Sequence, residues 1–461
     1  MTASSTRVLL EAQAHRRRRV LIAFLTADAE GQERALPRPG PLLGGLAVAV
    51  CLLVGALVSG LLTTSEPEGW HDGQLVVGRG SGARLVSIRG TLYPVLNATS
   101  ARLALPATDT RRVQVVDDAT IAAAPHGPVL GIPGAPEELP TRASLLPTGW
   151  VACPDGSRVQ TTITSRPQPP ASTGLALTAR VADRPAVEGH LLVSGRRYAL
   201  PVGHEEAVTR YLGLSAPPVT VPRRWVDLFS VGTALDLSAF RLPAGTSLGQ
   251  SLPPGARMAG RARRVGQLLS ATDHGGAISV VLADGTAPLT PFAAAVFRAT
   301  APHPLGQPQA VSDADLVATP ISAVRGLVPD DWPSALPAAA SGTPCARLDA
   351  GAGRASLTEL VLISGDSMLA RPTGAPETVV EPGHGALVRA GSLPGKGRVV
   401  LVDATGTAST VVDPSPETLA RLGLAQVDPP SVPSAWVGLL RSGPDLAQLV
   451  AGPRLPRQAP L

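Results

Sequence analysis

The sequence is poor in cysteine, lysine and aromatic residues, and these scarcities exclude several classes of protein. Three cysteines among 461 residues, none in a CxxC pair, do not give the ligand spacing of a structural zinc site. Lysine occurs once, at Lys396, and aromatic residues make up 3% of the chain. The 48 glycines and 47 prolines favour short elements joined by many turns. A hydrophobic fraction of 44% nevertheless allows packed cores.

Clustered positive charge is confined to the start of the chain. Residues 1–41 carry seven arginines against four acidic residues, whereas the chain beyond residue 62 has 33 basic and 31 acidic residues. A nucleic-acid surface requires basic residues gathered on one face, and no such cluster follows residue 62 in the sequence. We therefore expect no nucleic-acid partner.

The longest apolar stretch is Leu42 to Leu62, LLGGLAVAVCLLVGALVSGLL, which is 21 residues without a charge or a proline. A helix rises about 1.5 Å per residue, so this stretch matches a hydrocarbon core about 30 Å thick. The alternative is a cleaved signal peptide, which has a shorter apolar core and a small-x-small cleavage site. The long lead of 41 residues and the exit LLTTSEPEG favour a retained membrane anchor.

The arginines also predict the orientation of this anchor. Basic residues stay on the cytoplasmic side, and the helix is followed directly by Glu66, Glu68 and Asp72. We therefore expect a cytoplasmic N-terminus, a single pass through the cell (inner) membrane and a large extracytoplasmic C-terminal region.

Residues 7–29 lack glycine and proline and are typical of a basic amphipathic helix. Its basic run would contact anionic lipid headgroups or, alternatively, dock onto a cytoplasmic partner; it comprises Arg16, Arg17, Arg18 and Arg19. Within the span, small residues recur four apart, a spacing that lets membrane helices approach closely. The predicted packing positions are Gly45 with Ala49, Gly55 with Ser59, and Ala56 with Gly60.

Beyond the span, two stretches of the sequence repeat each other. Residues 196–235 and 408–446 each predict a strand, a helix, a Val-Pro turn and a short tryptophan-bearing helix. Four positions in equivalent places are predicted to be core residues: Leu214 and Leu424, Trp225 and Trp436. A looser pair, 76–105 and 279–299, predicts strand, turn, strand and helix.

The sequence therefore predicts an α+β fold, with four small α/β repeat units around a central β-rich domain. The central domain is inferred from β-rich segments between the units, including 158–164, 175–181, 263–269 and 359–364. The expected divisions are a basic arm (1–41), the span (42–62), a linker (63–73), repeat unit 1 (74–136), repeat unit 2 (187–250), repeat unit 3 (276–340), repeat unit 4 (398–452) and a tail (453–461), with the central β domain formed by the three segments between the units (137–186, 251–275 and 341–397).

Two of the three cysteines lie beyond the span. Cys153 and Cys345 would face an oxidising compartment, where paired thiols form disulfides. No third external cysteine competes, so a Cys153–Cys345 bridge is predicted over two free thiols. Cys51, within the span, is interpreted as a small apolar side chain.

The search for catalytic, cofactor and metal motifs is negative. The nearest match to a phosphate-binding loop is Gly391–Gly397, which is one residue short, contains Pro394 and has Gly397 where a hydroxyl residue is required. We interpret it as a turn between strands. No catalytic residue and no cofactor is predicted.

Several segments together resemble the EccB family, a core membrane component of actinobacterial type VII secretion systems. The segments are VVGRGSGARLVSIRGTLYPVLNATSARL, GPVLGIPGAP, WVACPDGS, EPGHGALVRAG and LGLAQVDPPSVPSAWVGLLRSGPDL. The resemblance implies a subunit of the inner-membrane secretion complex. Together with the negative motif search, it leads us to expect a non-catalytic structural subunit that organises the extracytoplasmic face of that complex. It also implies self-association and an EccC-type motor ATPase, EccD, EccE and a mycosin protease as partners.

Two other functions stay open at this point. Repeated α/β units suit a membrane-anchored module that binds the cell wall. Some members of the resembled family are labelled ATPases, so a weak ATPase is the second alternative, although the sequence contains no nucleotide motif.

Overall fold

The computed structural model describes residues 8, 11–20, 40–62, 69–107, 113–167, 170–171, 174–182, 189–252, 264–272, 276–350, 356–363, 377–391, 393 and 395–449. It divides into two compact units, Met1–Glu66 and Pro67–Leu461. Each unit is described separately.

The described part of the first unit shows helix α1 at residues 11–20 and helix α2 at Gly40–Leu62. The four arginines of the basic run lie in α1 and are exposed. The rest of the helix predicted over 7–29 falls outside the described residues, apart from residue 8. In α2, residues 44–56 are exposed, and the side chains of Ser59 and Gly60 are not described. Counted over the described residues, no helix reaches the length and apolarity needed to cross a membrane.

The second unit is built of short strands and short helices, as its glycine and proline content predicts. The described helices are α3 (Ala98–Ala104), α4 (Asp118–Ala123), α5 (Glu205–Tyr211), α6 (Arg223–Val226), α7 (Pro291–Thr300), α8 (Asp313–Val317), α9 (Pro416–Arg421) and α10 (Ser434–Val437), with 3₁₀ turns at Arg142–Ser144 and Leu237–Ala239.

The described strands, in chain order, are β1 (Gln74–Gly78), β2 (Arg84–Ile88), β3 (Thr91–Pro94), β4 (Val113–Val116), β5 (Trp150–Asp155), β6 (Arg158–Ile163), β7 (Leu175–Val181), β8 (Gly189–Val193), β9 (Arg196–Ala199), β10 (Val219–Val221), β11 (Ser230–Val231), β12 (Leu268–Ala271), β13 (Ile278–Leu282), β14 (Gly285–Pro288), β15 (Gln309–Val311), β16 (Ala338–Ala339), β17 (Thr343–Asp349), β18 (Leu357–Ile363), β19 (Thr378–Val380), β20 (Ala386–Ala390), β21 (Arg398–Val402), β22 (Thr407–Val411), β23 (Ser431–Val432) and β24 (Arg441–Ser442).

Four of the sheets share one order of connections. In each, three consecutive strands pair antiparallel, a helix follows, and a further strand returns to pair parallel with the first of the three. In spatial order they are the first sheet β3-β2-β1-β4, the second sheet β11-β9-β8-β7-β10 with β16 also on β7, the third sheet β14-β13-β12-β15 and the fourth sheet β24-β22-β21-β20-β23. The fifth, here called the central sheet, has the order β18-β17-β5-β6-β19.

Strand pairing differs from the sequence-based assignment at three places. The sequence analysis placed β7, β12 and β20 in the central domain, but these strands open the second, third and fourth sheets. Each is buried along most of its length. A strand buried on both faces has no polar alternation to show which neighbour it joins. The segments 158–164 and 359–364 do pair in the central sheet, as β6 and β18.

The cores show which sheets are in contact. One core is shared by the central, second and fourth sheets. A second joins the second sheet to the third, and another joins the fourth sheet to the first. The sheets therefore contact one another in the order third, second, central, fourth, first.

Candidate functional site: the central junction

The disulfide Cys153–Cys345 lies in the central sheet. It joins β5 to β17, which pair antiparallel, across a sequence separation of 192 residues. Ala152 pairs with Ala346, so the two cysteines stand opposite each other one step further along. In the chain-entropy model, closing a loop of this length stabilises the fold by about 5 kcal/mol. The predicted bridge is therefore formed, between two strands that are already neighbours.

The two faces of the central sheet differ in what they contact. Side chains alternate along β5, so Trp150 and Ala152 point to the core shared with the second and fourth sheets. Val151 and Cys153 point the other way, into a small cluster with Cys345. The disulfide thus lies on one face of the central sheet, and the second and fourth sheets pack on the other face. We call this second face, together with the residues of the second and fourth sheets that pack on it, the central junction.

Two tryptophans from equivalent places dock at the central junction. Trp225 of α6 and Trp436 of α10 are completely buried. The indole N–H of Trp225 donates to the carbonyl oxygen of Ala152 at 2.8 Å, and that of Trp436 donates to the Thr358 hydroxyl at 2.9 Å. Each indole therefore buries its ring and satisfies its one donor on the central sheet.

Thr358 links two of these sheets through one side chain. Its buried hydroxyl accepts from Trp436 and donates to the carbonyl oxygen of Leu228 at 2.6 Å, just after α6. The backbone is close here as well, because a Cβ on Gly195 would lie 2.6 Å from the Thr358 carbonyl oxygen. Gly195 also has a φ of 72°, which suits glycine. Central, second and fourth sheets thus meet at Thr358.

The outer contacts are made between helices. On one side α3 packs on α9, and two arginines reach across: Arg102 donates to the Leu422 carbonyl at 3.1 Å, and Arg421 donates to the Leu103 carbonyl at 3.2 Å. Each arginine therefore satisfies a carbonyl at the C-terminal end of the other helix.

On the other side α5 packs on α7, beside a cluster of aromatic rings. Phe240 lies edge-on to Trp332 and to Phe297, with ring centroids 5.3 and 5.2 Å apart. Such contacts make the second and third sheets share a core.

The glycine-rich stretch around Lys396 connects two strands of the fourth sheet. It runs from β20 to β21, which pair antiparallel. The Gly391 N–H donates to Val432 and the Lys396 N–H donates to Leu393, while the Gly395 N–H donates to the Ser431 hydroxyl. A phosphate-binding loop instead leads from a strand into a helix and leaves its N–H groups free for the phosphate. Over the described residues, moreover, no group of three metal-ligating side chains comes together.

Three carboxylates with lowered pKa values accept hydrogen bonds from hydroxyl groups that are distant in the sequence. The amide of Ser165, with the hydroxyls of Thr164 and Ser165, donates to Glu381 and lowers its carboxyl pKa to about 2. The Ser81 hydroxyl lowers the pKa of Asp118, and the Ser322 hydroxyl lowers that of Asp284.

The tyrosine in the core of the second sheet has the opposite kind of shift. Burial raises the pKa of Tyr198 to about 12, and its hydroxyl donates to the Asp331 carbonyl. Each of these four groups hydrogen-bonds to a different partner, and none of these bonds joins two of them as in an acid–base pair.

The sequence-based core residues all lie in cores. Trp225 and Trp436 belong to the central core, Leu214 to the core of the second and third sheets, and Leu424 to that of the fourth and first. The small residues Gly45, Ala49, Gly55 and Ala56 are exposed on α2. Thr358 and the two interhelical arginines escaped the sequence analysis, because no motif marks their partners.

These observations define a class of protein: several small mixed α/β sheets packed around one disulfide-linked sheet, with polar groups at the junction engaged in packing. A family model described as "Type VII secretion system ESX-1, transport TM domain B" matches residues 2–453. The chain belongs to this EccB family.

Relatives and solved structures agree with this assignment. The chain is 31% identical over 299 residues to the ESX-2 secretion system ATPase EccB2 of Mycobacterium tuberculosis, covering 59% of this chain and 56% of that protein. It is 28% identical over 377 residues to the ESX-3 secretion system ATPase EccB3 of Mycolicibacterium smegmatis, covering 78% and 70%. The match thus spans little more than half the length of the EccB2 relative.

Two solved structures show the same fold. One is described as the EccB3 dimer from the ESX-3 core complex, with a TM-score of 0.62, 23% identity and coverage of 81% of this chain and 98% of that chain. The other is an intact ESX-5 inner membrane complex, with a TM-score of 0.60, 22% identity and coverage of 99% and 97%.

Proposed function

We propose that this chain is a non-catalytic structural subunit of a type VII secretion inner-membrane complex, and that it organises the extracytoplasmic face of that complex. The observation that carries the proposal is the family match over residues 2–453, which includes both α2 and the sheet-rich unit. The central junction supports it, because the buried Thr358 hydroxyl and the two buried indole N–H groups form hydrogen bonds that join the sheets.

The membrane role is assigned to α2. The assignment rests on the sequence of residues 42–62, which is apolar over 21 residues and carries no charge, as a single span requires. The arm with its four arginines lies on the cytoplasmic side and contacts lipid headgroups or a partner. The Cys153–Cys345 bridge supports an oxidising environment for the second unit.

The four sheets with a common order are proposed to be repeat units around the central sheet. Their shared connections support this, as does the equivalent docking of Trp225 and Trp436. Two glycines give further support. Gly127 packs against the ring of Tyr93 and Gly232 against the ring of Tyr198, and a Cβ at either glycine would clash with the ring.

The proposed partners are an EccC-type motor ATPase, EccD and EccE, with a mycosin protease in the same system and a second copy of this chain. The test is affinity purification of the tagged full chain from mildly solubilised membranes, followed by mass spectrometry. The three membrane subunits are expected in near-constant ratio to this chain. Recovery of the chain alone, under conditions that keep the other subunits together, would contradict the proposal.

A weak ATPase is the alternative, because the EccB2 and EccB3 relatives are named ATPases. If that were the function here, Lys396 would be the residue to contact phosphate. The purified chain is expected to hydrolyse ATP no faster than its Lys396→Ala variant. Hydrolysis that the substitution abolishes would establish the alternative.

A further inference from the structure

The first sheet has an exposed apolar edge. Strand β4 is at the end of that sheet, paired with β1 on one side only among the described residues. Two of its four residues, Val113 and Val115, are 59% and 45% exposed. They lie on the same face, since side chains two apart point the same way. An unpaired edge with apolar side chains is a template for another strand.

The strands in the corresponding position of the second, third and fourth sheets, β10, β15 and β23, have no exposed valines. The exposed residues of β10 and β15 are Thr220 and Ala310, and β23 has no exposed residue. Prolines border all three: Pro218 and Pro222, Pro308, and Pro430 and Pro433. Proline has no N–H to donate and so blocks an edge from pairing. No proline borders β4, whose neighbours are Arg112 and Asp117.

The backbone of β4 is in phase for a further strand. The Val116 carbonyl accepts from the Arg79 N–H on the β1 side. Backbone groups alternate in direction along a strand, so those of Val113 and Val115 point away from β1. Both residues thus direct an N–H and a C=O toward the open edge.

The strand is also complementary to itself when reversed. About Gln114, Val113 and Val115 exchange places. Reversal therefore sets apolar on apolar positions, which is what a two-fold contact between identical strands requires.

We propose that β4 pairs antiparallel with β4 of a second copy of this chain, about a two-fold axis at Gln114. Val113 and the partner's Val115 exchange both backbone hydrogen bonds, and the four valines form one apolar cluster. This rests on the proposed self-association and names its surface. A four-residue pair is smaller than a stable interface in solution, so the common membrane that holds both copies contributes to the contact.

Cross-linking in membranes tests the contact. In the full chain with Cys51→Ser, Gln114→Cys places one cysteine on the two-fold axis, where facing Cα atoms of a non-hydrogen-bonded pair are about 4.5 Å apart. Thr220→Cys, on the exposed edge of β10, is the matched control. Under a mild oxidant we expect at least about ten-fold more cross-linked dimer at position 114 than at position 220. Equal fractions would overturn the proposal.

Paired charges test the register. A chain with Val113→Glu and Val115→Glu, or with Val113→Lys and Val115→Lys, sets like charges opposite each other and should lose the position-114 cross-link. Both sites are exposed, so the fold tolerates either pair. Expressed together, the two chains should restore the cross-link as a mixed dimer through cross-strand ion pairs. Cross-linking that persists in either charged chain alone would overturn the register.

These results separate this inference from the proposed function. Co-purification of the partner subunits together with no cross-link at position 114 would overturn only the surface. A cross-link at position 114 in a chain that purifies without those subunits would support the surface and contradict the wider function.

Discussion

At the scale of single residues, Thr358 joins the central sheet to two other sheets through one hydroxyl group. Its hydroxyl is the shared partner of Trp436 and Leu228, which belong to the fourth and second sheets. A buried hydrogen-bonding group left without a partner costs about 1–3 kcal/mol. One threonine therefore controls two such groups.

Thr358→Val should lower the free energy of unfolding by about 2–4 kcal/mol, because the isosteric methyl group leaves the Trp436 N–H and the Leu228 carbonyl unsatisfied. Thr358→Ser keeps the hydroxyl and loses one methyl group, so about 1 kcal/mol is expected. Denaturant unfolding of the two variants measures the difference. Equal losses for valine and serine would show that packing, not hydrogen bonding, matters here.

Glu381 should make stability depend on pH in an acidic window. Its folded-state pKa is lowered from 4.5 to about 2 by the Ser165 amide and the Thr164 and Ser165 hydroxyls. A depressed carboxyl pKa stabilises the fold fully above the unfolded value near 4.5, and this contribution is lost as pH falls toward about 2.

Glu381→Gln removes this contribution. The unfolding temperature of the wild type should exceed that of the variant at pH 6, and the two should converge as pH falls from about 4.5 to about 2. Glu138→Gln, at an exposed carboxylate, is the control. A gap between wild type and Glu381→Gln that stays constant over this range would contradict the assignment.

At the scale of residues, the sequence was enough to predict some of the buried contact residues but not others. Trp225 and Trp436 were predictable because a repeat displays them twice, and large rare side chains are usually buried. Thr358 was not, because a hydroxyl gains its role only from two carbonyl and indole partners 130 and 78 residues away.

At the scale of elements, the contact between α3 and α9 depends on Arg102 and Arg421. Arg421→Met should lower the free energy of unfolding by about 1.5–3 kcal/mol, because the Leu103 carbonyl loses its charged hydrogen-bond donor. Arg102 is more exposed, so Arg102→Met should cost about 0.5–1.5 kcal/mol. Arg142→Met, at an exposed position of a 3₁₀ turn, is the control for charge removal. If neither variant lost more unfolding free energy than Arg142→Met, the two arginines would not stabilise the contact between α3 and α9.

The small residues of α2 predict a helix–helix contact in the membrane. A Cβ on Gly55 meets no atom within 4 Å in the single chain, so leucine there disturbs nothing within the subunit. Gly55→Leu should reduce the amount of assembled complex several-fold while membrane insertion stays normal. Val54→Leu, on the neighbouring position, should assemble as wild type. Assembly unaffected by Gly55→Leu would contradict a packing role for α2.

The types of elements were predictable, and their partners less so. A helix was predicted after the first strand of the repeat at residues 196–235, and α5 begins there at Glu205. The placement of β7, β12 and β20 was not, because the strands that open each sheet are buried and pair with residues distant in sequence. The central sheet itself joins segments separated by nearly two hundred residues.

At the scale of the whole second unit, the five sheets are connected by side-chain docking more than by shared strands. The second and fourth sheets each place a tryptophan on the central sheet. The third sheet then packs on the second, and the first sheet on the fourth, through helix contacts. This arrangement buries the polar groups of the junction in structural contacts and leaves the edge strand β4 with two exposed valines. It suits a subunit whose role is to position its neighbours.

The native size of the species that contains this chain tests that role most directly. Mildly solubilised membranes, separated by native electrophoresis and probed for the tagged chain, report the size. The account predicts that the chain, of 47.0 kDa, migrates in one species many times larger than two copies, together with the motor ATPase. Migration only as a monomer or a dimer, while the other subunits form their own complex, would contradict it.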